Sequence, residues 1–198
     1  MPVSHSEIRP HRPTQEVILD AACELISSHG FGGMSMRALA QQVGIHPGSI
    51  YNYFSCKQDI LEGLAELLIT ERIHDWRGCK PRSRNPALQL DAFVNFHFGE
   101  RVGHQPAQQI LATELRHLGG ASRERIKEHY AVYVDELRGI IDRGNAGGVF
   151  DAPQAAAAAQ TILAMLDGLI GAELLNLDIF DQKTVLEVKN IINKILGC

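Results

Sequence analysis

The chain is short of several things that would each have pointed to a function. It has no excess of positive charge: 19 Lys and Arg stand against 23 Asp and Glu, giving a formal net charge of −4. A protein held on nucleic acid by bulk electrostatics shows the opposite balance, so any DNA contact here must come from a local arrangement. Cysteine is sparse, and Cys23, Cys56, Cys79 and Cys198 form no CxxC pair and no metal-ligand spacing. Reduced thiols in a cytoplasmic protein are the expectation. Cys56, beside Lys57 near a helix start, is the one thiol placed for activation, and a spectator role is expected for it. The opening MPVSHSEIRPHRP has no signal-peptide core, and no stretch holds about 18 consecutive apolar residues, so no membrane segment is expected.

Catalytic signatures are missing as well. There is no nucleophile elbow, no HExxH, no Gly-rich phosphate loop and no carboxylate pair with a supporting motif, so no enzyme is expected and no cofactor is implied. His74, His97, His104, His117 and His129 invite a metal reading. Only Glu114 and His117 share a helix face, however, and no second pair stands at ligand spacing, so a metal site is not expected. No segment alternates apolar and polar residues at period two between turns, which excludes a sheet.

What is present is helical. With 45% hydrophobic residues the chain can build a core. Ile18, Ala22, Leu25 and Ile26 repeat at helical spacing until Gly30. Ser35 caps a short helix, Met36 to Val43, that Gly44 ends. Pro47 suits the first turn of a third helix reaching about Tyr53, and a fourth runs from about Lys57 to Trp76. After the loop-like Gly78–Pro86, helices are expected over about 87–102, 106–118, 122–144, 153–176 and 181–196. The fold class is therefore all-α, with a polar arm at 1–12, a three-helix unit at 13–57 and a larger helical unit at 58–198, the helix 57–76 serving as connector.

The segment from Ser35 to Phe54 has the parts of a helix-turn-helix. Ala40 is small where two helices cross, Gly44 sits where the turn needs positive φ, and Ile45 and Ile50 can pin the second helix on the first. The helix starting at Pro47 would then enter a major groove by its N-terminal end. Pro47, Gly48 and Ser49 are compact enough for the backbone to approach bases. Asn52 could read adenine, Arg37 a guanine or the backbone, and Tyr51, Tyr53 and Lys57 could reach phosphates. By composition alone, two short helices around a glycine equally fit a packed pair with no DNA role.

The residues Ile18-Leu19-Asp20-Ala21-Ala22, Gly30-Phe31, Met36-Arg37-Ala38-Leu39-Ala40, Gly44-Ile45 and Gly48-Ser49-Ile50-Tyr51-Asn52-Tyr53-Phe54, followed by Lys57 and Ile60-Leu61, resemble the N-terminal pattern of the TetR family of transcriptional regulators. The resemblance covers about a quarter of the chain, Glu16 to Leu64, and its most specific part is Gly-x-x-Tyr-x-Tyr-Phe-x-x-Lys. It implies that Ser35, Arg37, Pro47, Gly48, Ser49, Tyr51, Asn52, Tyr53 and Lys57 face operator DNA while Phe54 packs inside. His46 departs from the family's usual Ser or Thr, which leaves its capping role open and allows a weak pH dependence of DNA binding. Cys56 is also unusual.

In the larger unit, the helix after Pro153 is apolar on several faces, and Val185, Val188, Ile192, Ile195 and Leu196 form a stripe on the last helix. The resemblance implies that these two helices pair with their copies in a homodimer; a monomer core is the alternative reading. The middle helices carry aromatics at core spacing, among which a sensor would need a cavity with a few polar anchors. Phe96, Leu111, Glu114, Tyr130, Tyr133 and Met165 are the candidate ligand contacts. Ala112–Arg116 and Arg143–Phe150 resemble the TetR subgroup that senses acyl-coenzyme A thioesters. The expectation is thus a ligand-responsive repressor bound to double-stranded operator DNA and released by a small effector, with coupling near Trp76. An activator, or a helical enzyme or binding module with an incidental helix-turn-helix, is the rival.

Overall fold

The computed structural model describes residues 14–99, 105–174 and 182–198. The expected arm at 1–12, together with His104 and Leu175, lies outside the described residues. Within them the chain is helical, with no strand. Helices α1 (Thr14–Gly33), α2 (Met36–Val43) and α3 (Pro47–Ile50) form the headpiece; α4 (Lys57–Cys79) leads into α5 (Pro86–Gly99), α6 (Gln105–Thr113), α7 (Gly120–Ala146), α8 (Ala155–Leu174) and α9 (Gln182–Ile195).

Glycine and capping side chains set the headpiece boundaries. Gly30, at φ 70° and ψ 162°, breaks the helical path of α1 where the sequence reading ends it, and a last turn follows to Gly33. Ser35 Oγ accepts from Ala38 N at 3.1 Å. Gly44 closes α2 in the left-handed region at φ 75°, and Ile45 N donates to Ala40 O at 3.0 Å. His46 then does the work left open for it, its Nδ1 accepting from Gly48 N at 3.2 Å to cap α3. The third helix is shorter than expected: α-helical geometry ends at Ile50, and residues 51–53 continue as turns held by Tyr53 N and Phe54 N on Ile50 O. That tightening lets Phe54 bury against Gly63 and Leu19.

The 23-residue α4 belongs to both units. Its first turns bury Ile60, Leu61 and Leu64 under the headpiece, and its last turns bury Ile73 and Trp76. Trp76 meets Phe93 of α5 edge-on at 4.8 Å between centroids, and Phe93 lies 5.2 Å from Tyr133 of α7. One continuous core results, and each fully buried aliphatic side chain in it contributes about 1.5–3 kcal/mol of transfer free energy.

Helix α6 ends earlier than the sequence reading had it, at Thr113, and a 3₁₀ turn (Leu115–His117) follows. The reason is Glu114, which turns inward to bond the headpiece rather than continuing the helix face. Between α7 and α8, Asn145 brackets the loop by bonding both N and O of Ala152. Gly144 is required there, because a Cβ would stand 1.9 Å from the buried Phe150 ring. Helix α8 turns Ala159, Ile162, Leu163, Leu166 and Ile170 inward and leaves small residues, among them Ala156, Ala157, Ala164 and Gly168, on its exposed face. Ala155–Ala172 is long and apolar enough to cross a membrane by composition, yet its large side chains face the core. On α9, Val188 and Ile192 are buried, as is Leu196 just beyond it, while Leu186 and Ile191 are exposed.

Candidate functional site

The headpiece presents a polar, shallow surface on one side. Ser35, Arg37, Pro47, Gly48, Tyr51, Asn52 and Tyr53 are exposed, Ser49 is half-buried, and Ile50 and Phe54 are buried beneath them. Tyr51 and Tyr53 are 56% and 46% exposed, too open for core packing to account for either ring. The structure therefore brings the predicted reading residues onto α2, α3 and the turns after it. Lys57 is held differently. Its Nζ donates to Gly32 O at 3.2 Å and lies 4.4 Å above the Phe31 ring. Partial burial lowers its pKa from the ordinary lysine value, with the charge of Glu114 acting the other way.

Lys57 thereby takes part in a joint between the two units. Glu114, buried at the end of α6, accepts from Phe31 N at 3.3 Å. His117 stands 3.4 Å from the same carboxylate and its ring lies 5.1 Å from Phe31. The backbone kink at Gly30 presents the Phe31 amide to Glu114, and any Cβ at Gly30 would sit in a left-handed conformation. Trp76, near which the sequence reading put the coupling, lies 19 residues along α4 from Lys57, or about 28 Å, and packs inside the larger unit.

Two adjoining cavities open in the larger unit. The inner one, about 390 Å³, lies among Ile69 and Arg72 of α4, Leu111 and Ala112 of α6, and Ile170 and Gly171 of α8. The outer one, about 850 Å³, is walled by Leu118, Ala131, Val134 and Leu163 and rimmed by Arg116, Arg123 and Lys127. Leu111, Leu115, Ile126, Tyr130 and Asp167 line both and form the waist between them. Volumes of this size match small-molecule sites, and the walls are mainly apolar with a few polar groups. Tyr130 OH donates to Asp167 Oδ2 at 2.5 Å. Burial, then the Asp167 charge, raises the Tyr130 phenol far above its ordinary value, so it stays a neutral donor.

The family models match this architecture in two blocks. Residues 18–64 match the bacterial regulatory proteins of the tetR family, and residues 83–170 match a tetracycline-repressor-like C-terminal domain. The chain belongs to the TetR family. Among curated relatives of this TetR regulator is the fatty acid metabolism regulator protein of Bacillus subtilis, 27% identical over 177 residues that make up 89% of each chain. Among solved structures, the fatty acid degradation regulator FadR of Bacillus halodurans superposes with a TM-score of 0.81 at 22% identity, covering 93% of this chain and 97% of that one. FadR of Bacillus subtilis, solved in complex with stearoyl-CoA, gives 0.78 at 25% identity over 91% and 96%.

Of the six ligand contacts expected for this TetR chain, Leu111 and Tyr130 line the cavities. Tyr133 is fully buried behind them, 3.1 Å from His97 Nδ1. Phe96 packs on Trp76, Met165 is half-buried on α8, and Glu114 is committed to Phe31. Sequence reasoning missed Asp167, Arg72 and the basic rim. Asp167 was detectable as the first carboxylate in the apolar run of α8, and Arg123 and Lys127 by their spacing of four, which puts them on one side of α7. Among the described residues no three metal-ligating side chains converge. The Cys23 thiol is pushed up to about 11 by burial and by Asp20, Glu24 and Glu71, which disfavours its thiolate at neutral pH.

Proposed function

We propose that this TetR-family regulator is a repressor whose paired headpieces hold an operator and whose larger unit takes an acyl-coenzyme A thioester that releases it. The observation that carries the ligand reading is the combination of an apolar double cavity with a rim of three basic residues, Arg116, Arg123 and Lys127, at the outer opening. An acyl chain suits the apolar walls, and coenzyme A phosphates suit the rim, where guanidinium groups bind phosphate through paired N–H donors. The similarity to a regulator solved with stearoyl-CoA supports the same ligand class. In this reading Arg37 and Asn52 contact base edges, while Ser35, Ser49, Tyr51, Tyr53 and Lys57 contact the DNA backbone, and Pro47 and Gly48 allow close approach. Leu186 and Ile191 of α9 and the small-residue face of α8 supply a surface for a second copy, as an operator with two half-sites about 34–36 Å apart requires. The unit 13–57 acts as the DNA-binding domain and 58–198 as the sensor and dimerisation domain, joined through α4 and the Glu114–Phe31 contact.

Release follows from linkage: the thioester must bind the DNA-free arrangement more tightly, because equal affinity shifts nothing. The test is a gel shift of the full chain on its own upstream DNA, titrated with saturated acyl-CoAs of several lengths and with free coenzyme A. Retarded DNA that thioesters release and free coenzyme A does not is the expected result. Leu111→Trp should fill the waist and remove the response while operator binding persists, at a stability cost of about 1–3 kcal/mol. Failure of every thioester to release the DNA would refute the ligand assignment, and absence of any shift would refute the operator-binding one.

A further inference from the structure

The waist of the cavity is not what a plain hydrocarbon chain needs. Asp167 lines both compartments, and 42% of its side chain is open to that space. Its Oδ2 accepts from Tyr130 OH, and its Oδ1 lies 3.2 Å from His97 Nε2. His97 is 1% exposed; its Nδ1 pairs with Tyr133 OH at 3.1 Å, but Nε2 is buried outside hydrogen-bond geometry with any partner. Arg72, buried to 7% exposure, lines the inner compartment on the same side, 5.6 Å from the Tyr133 ring centroid. A carboxylate and a phenol thus stand at the midpoint between two mainly apolar cavities, with an imidazole buried behind the carboxylate and a guanidinium in the inner compartment.

Burial tends to push the Asp167 carboxyl upward, but His97, Tyr130 and Arg72 outweigh it and hold the group below the usual carboxylate range. It therefore stands ionised in the channel at neutral pH. An empty cavity lets water solvate the open part of that carboxylate. A saturated chain threading the waist would expel this water and give nothing in return, and a polar group stripped of water without a new partner is costly. A hydroxyl on the chain can donate to Asp167, and a chain carbonyl can accept from Arg72. On the core side of the cluster Tyr133 packs on Phe93 and His97, while Tyr130 and Asp167 line the waist and Arg72 lines the inner compartment.

We propose that Asp167 and Tyr130 at the waist, backed by His97 and with Arg72 in the adjoining inner compartment, select acyl thioesters whose chain carries an oxygen, as a hydroxyl or oxo group, over plain saturated chains. This rests on the thioester reading above and narrows it to a substrate class, intermediates or derivatives of chain oxidation rather than fully reduced acyl groups. A site of this kind discriminates strongly against analogues lacking the matching group, because the open part of the Asp167 carboxylate then loses its water without a new partner.

The test is calorimetric titration of the full-length protein with four thioesters matched in length: lauroyl-CoA, 3-hydroxylauroyl-CoA, 3-oxolauroyl-CoA and 12-hydroxylauroyl-CoA. At least one oxygenated chain should bind about tenfold or more tightly than lauroyl-CoA. Asp167→Leu should bring the hydroxylated and saturated chains to parity, chiefly by improving the saturated one, whereas Asp167→Asn should keep part of the preference. Lauroyl-CoA binding as tightly as all three oxygenated chains would overturn the inference while leaving the thioester reading intact. Preference surviving in Asp167→Leu would overturn the role of the waist. If none of the four binds, both readings fall. The wild-type comparison needs no variant, so a misfolded substitution cannot rescue the idea.

Discussion

The headpiece and the cavity invert what their ligands would suggest about charge. Residues 14–57, proposed to sit on a polyanion, hold two basic residues, Arg37 and Lys57, against Glu16, Asp20 and Glu24. The cavity rim, proposed to take one small anionic ligand, holds three basic residues within twelve positions, Arg116, Arg123 and Lys127. Lys57 is moreover tied to Gly32 O and the Phe31 ring. The two regions must therefore recognise anions by different means. The rim can use charge directly. The headpiece has to rely on shape, hydroxyls and backbone approach, with exposed Tyr51 and Tyr53 flanking a compact Pro47-Gly48-Ser49 turn.

That contrast can be broken most severely from inside the larger unit. Trp76 is fully buried against Phe93 and Phe96, and its Nε1 donates to Glu136 at 3.3 Å. Trp76→Ala should lower unfolding free energy by about 3–5 kcal/mol in urea denaturation and abolish ligand response before operator binding is lost. Operator binding lost in step with ligand response would mean that the headpiece cannot hold its shape without the larger unit.

A smaller effect separates positioning from reading within the headpiece. Arg37→Ala or Asn52→Ala should relax sequence preference by about 1–3 kcal/mol at one base pair, measured by competition between single-base operator variants. Lys57→Ala should weaken all sequences alike and, because the headpiece has so little positive charge, should visibly flatten the dependence of affinity on salt. An unchanged salt slope would show that Lys57 stays bound to Gly32 in the complex and serves only the joint.

The smallest effect concerns the carboxylate that clamps α4 to α7. Glu136 bonds Arg77 at 2.7 Å and Lys80 at 3.0 Å. Burial favours its neutral form, but those two cations prevail and set its pKa below the ordinary carboxylate value. Its contribution is therefore fully present above the unfolded-state value and is lost as pH falls through the lower folded one. Glu136→Gln should reduce stability at neutral pH by no more than about 1 kcal/mol and flatten the acid limb of a stability–pH curve. A wild-type-like acid limb in Glu136→Gln would assign that limb to Glu62 or Asp167 instead, whose pKa values are also lowered.

The headpiece was nearly all legible in the sequence because its information is local. Ser35, Gly44, Pro47 and the Tyr-Asn-Tyr-Phe run act on neighbours within a few residues, and the caps, the turn and the exposed face followed from them. Even so, the early end of α3 was not legible, since it depends on Phe54 reaching Leu19 and Gly63. The cavity was legible only in outline. Its lining is drawn from four helices more than 100 residues apart, Ile69 to Gly171, and a stripe of Phe, Tyr and Leu looks the same whether it lines a void or fills one. Phe93 and Leu111 are both apolar residues within predicted helices, yet the first is buried in the core and the second lines the cavities. Glu114 reads as a polar anchor and serves as a strut, because its partner Phe31 lies 83 residues away.

Helix α4 finally sets a mechanical scale. It is a single rod of 23 residues, about 34 Å long, with Phe54 and Leu19 gripping one end and Phe93 and Tyr133 around the other. A rigid rod converts a small rotation at one end into a displacement at the other in proportion to its length. A tilt of about 5° pivoting near Trp76 carries the Lys57 end by about 2.5 Å, and twofold-related tilts in two copies change the distance between reading heads by about 5 Å. Such a change is a sizeable fraction of a groove spacing, although side chains near the pivot move far less than the Lys57 end. The leverage scales with the length of the rod between pivot and end, so shortening α4 by one turn would cut it by about a fifth.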